Sequence, residues 1–418
     1  MSTSVSTLII APEIMCIVTS LRQFRAPLQV SFFNVLYGVR RCRFFSLAVT
    51  CLLCLCFLPL STRASSDDSN GAVTIDSLLE RSISRGLISG AVVLVGNHRQ
   101  NTYFVAKERP SEPGDASSLS KDTLFDVASL TKVLATAPAV LKLLEQGKIS
   151  LTDPLALWFP EFIGSGREDI TILNLMTHTS GLRDVPIDDN ELFSSIAEKA
   201  AFQPGRNRSD RRFHYADINF ILLGDLVRRV STSDLDYFCQ KYIFSPLGVK
   251  KTMFRPPPFF FSNMAPTLTT ENELVIGAVQ DFNARKLGGV AGHAGLFASA
   301  SDIASFARMI LNGGFIDGRR VFSEQAIVWM TTPYFYNKGE VARGLGWDIK
   351  SPYSAPKGKN FSAMSFGHTG YSGSSLWIDP KRDIFVILLT IRLDYENVRL
   401  FNQLRRDVST LALEMSGV

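Results

Sequence analysis

Apolar residues recur at helical spacing at Ile75, Leu78, Leu79 and Ile83 before Gly86 interrupts them, which predicts a helix over residues 75–83. Two β-branched, apolar runs at 90–95 and 102–106 predict a pair of strands. Residues 109–121 are polar, with Pro and Ser, and read as a loop, after which 127–146 reads as a helix ended by Gly147. Pro138 lies within that helix, where it lacks an N–H and crowds the carbonyl of Leu134, so a kink is expected there. A Pro- and Gly-punctuated stretch of mixed helical character runs from about 153 to 266. Residues 374–379 and 384–391 predict two strands around a turn at 380–383, and 395–415 a closing helix. No internal repeat is visible. Helix, strands, a long helical insertion, then strands and helix again predict an α/β (α+β) fold. Its central antiparallel sheet carries flanking N- and C-terminal helices and an inserted, mostly helical lobe.

The net charge of +5 is confined to one end, because residues 1–64 hold six arginines and one glutamate while the rest of the chain is formally neutral. A neutral body argues against a nucleic-acid-binding surface. Arg40, Arg41 and Arg43 precede an apolar run from Phe44 to Leu60, and Thr62-Arg63-Ala64 follows with small residues, so residues 1–64 read as a leader with a signal peptide or an N-terminal anchor. Residues 65–74 then form a linker and 75–418 the folded domain. Five of the six cysteines fall in the leader, which leaves Cys239 with no intrachain disulfide partner.

Ser-x-x-Lys places an amine beside a hydroxyl when both lie on one helical face, and the pattern occurs at Ser118/Lys121, Ser129/Lys132 and Ser354/Lys357. The first pair lies in the polar loop. The third straddles Pro356 in a loop where no helical turn is expected to align it. Ser129 alone is expected at a helix start, where backbone N–H groups and the helix dipole favour a developing oxyanion. As a capping serine with a surface lysine, the pair would carry no chemistry. Its company is a tyrosine before an amphipathic helix (Tyr215-Ala216-Asp217) and His368-Thr369-Gly370 before the final hairpin, 86 and then 153 residues further on.

Together these three elements resemble the Ser-x-x-Lys, Tyr-x-Asn and Lys/His-Thr-Gly motifs of class C β-lactamases and low-molecular-weight D-alanyl-D-alanine carboxypeptidases. The resemblance runs from about Ile75 to the C-terminus and includes Thr177–Leu182 and Gly288–Leu296. It implies a serine hydrolase acting through a Ser129 acyl-enzyme, with Lys132 and Tyr215 moving the proton and no cofactor. It further implies Ser129 and Tyr371 backbone N–H groups at the oxyanion, and Asp217, His368, Thr369, Gly370 and Tyr371 around the substrate. The partner is then a D-alanyl peptide, β-lactam or ester, and the protein is exported, periplasmic or secreted, touching a membrane only through an uncleaved leader. A carboxylic ester hydrolase and an inert wall-peptide-binding protein are the alternatives.

Two positions depart from the family pattern. Asp217 stands where Asn is frequent, and a carboxylate there favours a charged Lys132 over a phenolate at Tyr215. His368 stands where many β-lactamases carry lysine, so carboxylate affinity is expected to fall as pH rises through the ordinary histidine range. Gln280 replaces a histidine frequent in the family. The five histidines show no paired metal-ligand spacing, so no metal is expected, and Gly288–Gly295 lacks the Lys-Ser/Thr of a phosphate loop. Phe259–Phe261 after three prolines reads as a packed loop or pocket wall, with a membrane or partner contact as the alternative.

Overall fold

Alternation along one strand generates the layers of the molecule. In β1 (Ile88–Gly96), Ala91, Val93 and Val95 project to one side and Val92 and Leu94 to the other, and all five are buried. A strand of this kind must be covered on both faces. The structure, a computed structural model, describes residues 73–110, 119–205, 212–268 and 273–417; the leader and Ser118 lie outside the described residues.

After β1 come β2 (Asn101–Glu108), β3 (Leu124–Asp126), β4 (Met253–Phe254), β5 (Leu296–Ser299), β6 (Phe335–Asn337), β7 (Val341–Arg343), β8 (Asp348–Lys350), β9 (Phe366–Thr369), β10 (Ser375–Asp379) and β11 (Ile384–Arg392). Eight of them form one antiparallel sheet in the order β6-β7-β8-β9-β10-β11-β1-β2. The first strand therefore closes against the last, with Val93 opposite Leu388. A smaller sheet, β3-β5-β4, carries the chain into the nucleophile region.

The helices that matter for the site are α1 (Ile75–Ser84), α2 (Ala137–Glu145), α3 (Ile218–Ser231), α4 (Ala300–Leu311) and α5 (Val398–Met415). Thr74 and Ser77 cap α1 reciprocally, each side chain accepting the other's backbone N–H at 3.1 Å. Leu79 and Ile83 of α1 meet Phe401, Leu404 and Val408 of α5 over Ala91, Val93, Val386 and Leu388. Each large side chain so buried contributes on the order of 2 kcal/mol. The other face, with Val92, Leu94, Ile387 and Leu389, is covered by the helical lobe, including residues of α2, α3 and α4.

The expected antiparallel sheet with an inserted helical lobe is present. Differences are local and have physical causes. The segment expected as one helix over 127–146 is a 3₁₀ turn (Ala128–Leu130), a π turn (Lys132–Thr136) and then α2. Pro138 sits in the first turn of α2, where its missing N–H costs nothing, and the wide π turn before it takes up the disturbance expected as a kink. The closing helix starts at Val398 instead of 395, because the Asp394 carboxylate accepts the Glu396 and Asn397 N–H groups and Asn397 caps the first turn. Ser354 and Lys357, expected in an irregular loop, lie in a 3₁₀ segment (Pro352–Lys357). They still do not meet: Ser354 Oγ donates to the Ser351 carbonyl, and Lys357 Nζ to that of Ile349. Of the phenylalanine cluster, Phe261 packs on Gly277 while Phe259 is exposed.

Gly292 fixes the lobe against the site. A Cβ there would stand 1.9 Å from the Phe220 carbonyl oxygen of α3, closer than any side chain tolerates. Its carbonyl accepts the buried Thr136 hydroxyl at 2.6 Å. Gly292→Ala should therefore push α3 aside and cost about 1–3 kcal/mol, the range for overpacking a core. Chemical denaturation should show a lowered midpoint at unchanged slope, and an unshifted midpoint would mean that this approach is not tight.

Candidate active site

β3 delivers the nucleophile. The chain leaves the strand at Asp126, turns through Ala128 with φ +46°, and presents Ser129 in the 3₁₀ turn at the cleft floor. One helical turn on, Lys132 is completely buried, and its Nζ donates to Ser129 Oγ at 2.9 Å and to the His293 carbonyl at 3.0 Å. An Asp217 carboxylate oxygen lies 2.8 Å from the same nitrogen. Three oxygens, with the Tyr215 hydroxyl beside them, surround one amine and suit an ammonium. Burial works against that charge, but Asp217 and Tyr215 outweigh it and hold Lys132 above the ordinary lysine range. Burial likewise opposes the Asp217 carboxylate, and Lys132 with His293 holds it below its usual range.

Tyr215 lies just before α3 and interacts through its hydroxyl with both Ser129 and Lys132. Burial, reinforced by the Asp217 charge, holds it above the ordinary tyrosine range despite those contacts, so the resting group is a neutral phenol. The bias of Asp217 toward a charged lysine is thus the one expected from the sequence. The ring of Tyr215 stacks on His178, centroids 4.5 Å apart and 24° between planes. His178 takes φ +56° and its Nδ1 accepts the Ala216 N–H at 3.4 Å, which places the imidazole under the phenol. Sequence reasoning had only the phrase around His178 and gave it no position. Asn219 faces away, accepting the Ser180 hydroxyl at 2.5 Å.

β9 forms the opposite wall. Gly370 approaches the nucleophile turn so closely that a Cβ would stand 2.4 Å from the Val127 carbonyl oxygen, and Tyr371 follows it in the lining of the cleft that holds Ser129. Ser129, Tyr215, Asp217, His368, Thr369, Gly370 and Tyr371 all line one cleft of about 670 Å³, a size suited to a small ligand. Lys132 lies beneath its floor. Gln280 reaches the cleft edge, where its side chain donates to the Leu268 carbonyl at 3.2 Å.

His368 departs from expectation. Its ring is buried, and burial together with the Arg343 and Lys132 charges pushes it well below the ordinary histidine range. A neutral ring pairs Nδ1 with the Thr369 carbonyl at 2.9 Å, so the expected protonated His368 that strengthens carboxylate binding is not there. The positive charge of this wall comes from arginines that sequence reasoning missed. Arg343 is buried at the end of β7, 3.4 Å from the Asp348 carboxylate, and Arg405 on α5 donates to the Gly370 and Ser374 carbonyls. Burial and the nearby Arg392 push Arg405 down to about 9. Strand pairing, not sequence proximity, brings Arg343 to the cleft, and no spacing motif announces it.

Among the described residues, Asp217, Asp281 and His293 form the one grouping with donor atoms close enough for a metal, within 4.8 Å of one another. His293 Nε2 already meets Asp281 at 2.9 Å and Lys132 meets Asp217, so the two carboxylates face protein partners. A resident ion would have to displace the ammonium, and we assign none.

A buried Lys-Ser pair under a cleft, between an antiparallel sheet and a helical lobe, defines a class of serine hydrolase. The family model described as Beta-lactamase matches residues 75–409, and the chain belongs to that family. A Salmonella agona (strain SL483) protein described as "Putative D-alanyl-D-alanine carboxypeptidase" is 27% identical over 373 residues, covering 79% of this chain and 86% of that protein. Among solved structures, a class C beta lactamase from Rhodobacter sphaeroides superposes with a TM-score of 0.65 at 19% identity, over 82% of this chain and 99% of the other. EstCE1, described as a hydrolase with promiscuous acyltransferase activity, gives 0.64 at 20% identity, covering 80% and 97%. At such identities these two likenesses bear on the fold.

A depressed histidine has a checkable consequence. Because His368 and His178 stay neutral in the folded chain while the unfolded chain takes up protons below about 6.5, stability falls as pH drops from about 6.5 toward their lowered folded values. Nitrogen-15 spectra of the imidazoles should show His368 as a neutral ring from pH 8 to pH 5. A titration of His368 centred near 6.5 would contradict the assignment.

Proposed function

We propose that this chain is a serine acyl-transfer hydrolase whose nucleophile is Ser129, acting on D-alanyl-terminated peptides. The observation that carries this reading is the 2.9 Å hydrogen bond between Lys132 Nζ and Ser129 Oγ, made by a fully buried lysine at the floor of the cleft. An inert binding protein has no use for so costly a buried charge beside a hydroxyl.

Ser129 Oγ attacks the carbonyl carbon of the penultimate D-alanine, and its proton passes through the Lys132–Tyr215 pair. The tetrahedral oxyanion is held by the Ser129 and Tyr371 N–H groups. Collapse breaks the C–N bond, and the relayed proton leaves on the amine of the terminal D-alanine. Water then repeats the addition at the Ser129 ester and releases the shortened peptide. Since the resting lysine is an ammonium and the resting tyrosine a phenol, one must first pass a proton on. Asp217, held below its usual range beside that ammonium, opposes the release, so substrate binding has to weaken the Asp217–Lys132 pair before a base is free. Thr369 offers a hydroxyl to the substrate carboxylate, while Arg343 and Arg405 give that wall a positive field. The carboxypeptidase name of the Salmonella relative supports this substrate class, and the arginine-led leader supports export to where such peptides occur.

A specific observation favours ester donors as the second reading. Beside those arginines the cleft also presents a neutral His368 with Tyr215, Tyr353, Phe282 and Tyr371, surfaces that accept uncharged acyl groups. Intact-mass analysis after incubation with a labelled penicillin, a D-alanyl-D-alanine peptide and an activated ester should show one acyl adduct, mapped to Ser129 and absent in Ser129→Ala. Faster acylation by the carboxylate-bearing donors supports the peptidase reading, and acylation by the ester alone supports the other. An adduct on another serine, or none with any donor, overturns both.

A further inference from the structure

Asp126 is a buried carboxylate that no motif includes. It ends β3 three residues before the nucleophile and is 3% exposed. One of its oxygens accepts the Ala128 N–H at 2.8 Å and the other the Gln280 N–H at 2.7 Å. Its backbone carbonyl accepts the Ser372 hydroxyl at 2.7 Å, and the next carbonyl, Val127, accepts Ser374 at 2.8 Å. The Ala128 bond bends the chain into the left-handed conformation, φ +46°, that a non-glycine residue adopts only when its surroundings impose it. The Gln280 bond ties that bend to the segment whose next residue, Asp281, holds His293 at 2.9 Å. The His293 carbonyl in turn accepts Lys132. Asp126 thus stands where the strand of the nucleophile and the loop behind its lysine are joined, with both carboxylate oxygens spent on that junction.

We propose that Asp126 is a positioning residue for acylation: its carboxylate holds the Ala128 bend and the Gln280 segment in one register and so sets the distance between Ser129 Oγ and Lys132 Nζ. The inference rests on the reading of Ser129 as nucleophile. Two N–H groups aimed at two oxygens need the ionised form, because a protonated carboxyl turns one acceptor into a donor. Burial, with the Asp281 charge adding to it, pushes Asp126 up to about 6 against the two N–H bonds and Arg285. Tyr395 and Arg392 also line the small void beside it. The junction therefore loosens within the range where enzymes are assayed, and acylation is expected to fall as pH drops through about 6.

Asp126→Asn is nearly isosteric but offers one acceptor, so it leaves one N–H facing an amide donor. Single-turnover acylation by a neutral activated ester should fall about 100-fold, the scale of a misplaced reacting group, while the concentration for half-saturation changes less than threefold. The loss of rate expected below about pH 6 in the unmodified protein should vanish in the variant. Asp126→Glu, which keeps the charge at a longer reach, should recover part of the rate. An Asn variant that acylates within twofold of the unmodified protein, or that keeps the same acid limb, overturns the proposal. So does a fall in rate no larger than the fall in folded fraction measured by circular dichroism. If neither variant folds, the unmodified protein decides: an acid limb near pH 6 supports the assignment, and a flat profile from pH 5 to 8 overturns it. Failure of the unmodified protein to form any Ser129 adduct defeats the functional reading instead, which separates the two.

Discussion

A buried ammonium is the constraint around which the site is arranged. Lys132 has no exposed surface, and a lone charge in that position would cost more than the folded chain has to give. Three acceptors from three parts of the sequence make it tolerable: Ser129 within the same turn, the His293 carbonyl of a glycine-rich loop, and Asp217 at the entrance to α3. Each must arrive at the right place, so the lobe, the loop and the nucleophile turn are fixed relative to one another by one atom. Gly292, whose neighbour His293 supplies one of those acceptors, packs directly on α3, the helix that Asp217 enters.

That arrangement also sets the electrostatics of the cleft. Asp217 keeps the lysine charged, burial with the Arg343 and Lys132 charges keeps His368 and His178 neutral, and burial keeps Tyr215 a phenol. The site rests with its proton on Lys132, a resting state in which Ser129 is hydrogen-bonded but not activated. Substrate entry must change the balance, and the carboxylate beside the lysine is the charge it has to overcome.

Much of this was legible along the chain because it depends on local spacing. The apolar run at 90–95 and the helical face of α1 forecast a strand and a helix beside it. The Ser-x-x-Lys spacing forecast the Ser129–Lys132 contact, and the order of three motifs forecast their meeting. What was not legible depends on burial or on pairing at long range. A histidine's charge state is set by what surrounds it, and nothing near His368 in sequence shows that Arg343 lies beside it. The π turn at 132–136 is likewise invisible to a pattern of apolar residues, which is the same for α and π turns over so short a span. Asp126 looks like an ordinary strand-end aspartate until both its acceptors are seen to be used.

The most direct test of the account is to observe the charge on Lys132 itself. Nitrogen-15 spectra of side-chain-labelled lysine, assigned with Lys132→Arg, should show an ammonium at this position from pH 6 to pH 10, with an Asp217→Asn variant releasing the proton at lower pH. A neutral amine at Lys132 near pH 7 in the unmodified protein would contradict the account, because the three-acceptor cage would then hold no charge and could not be what orders the site.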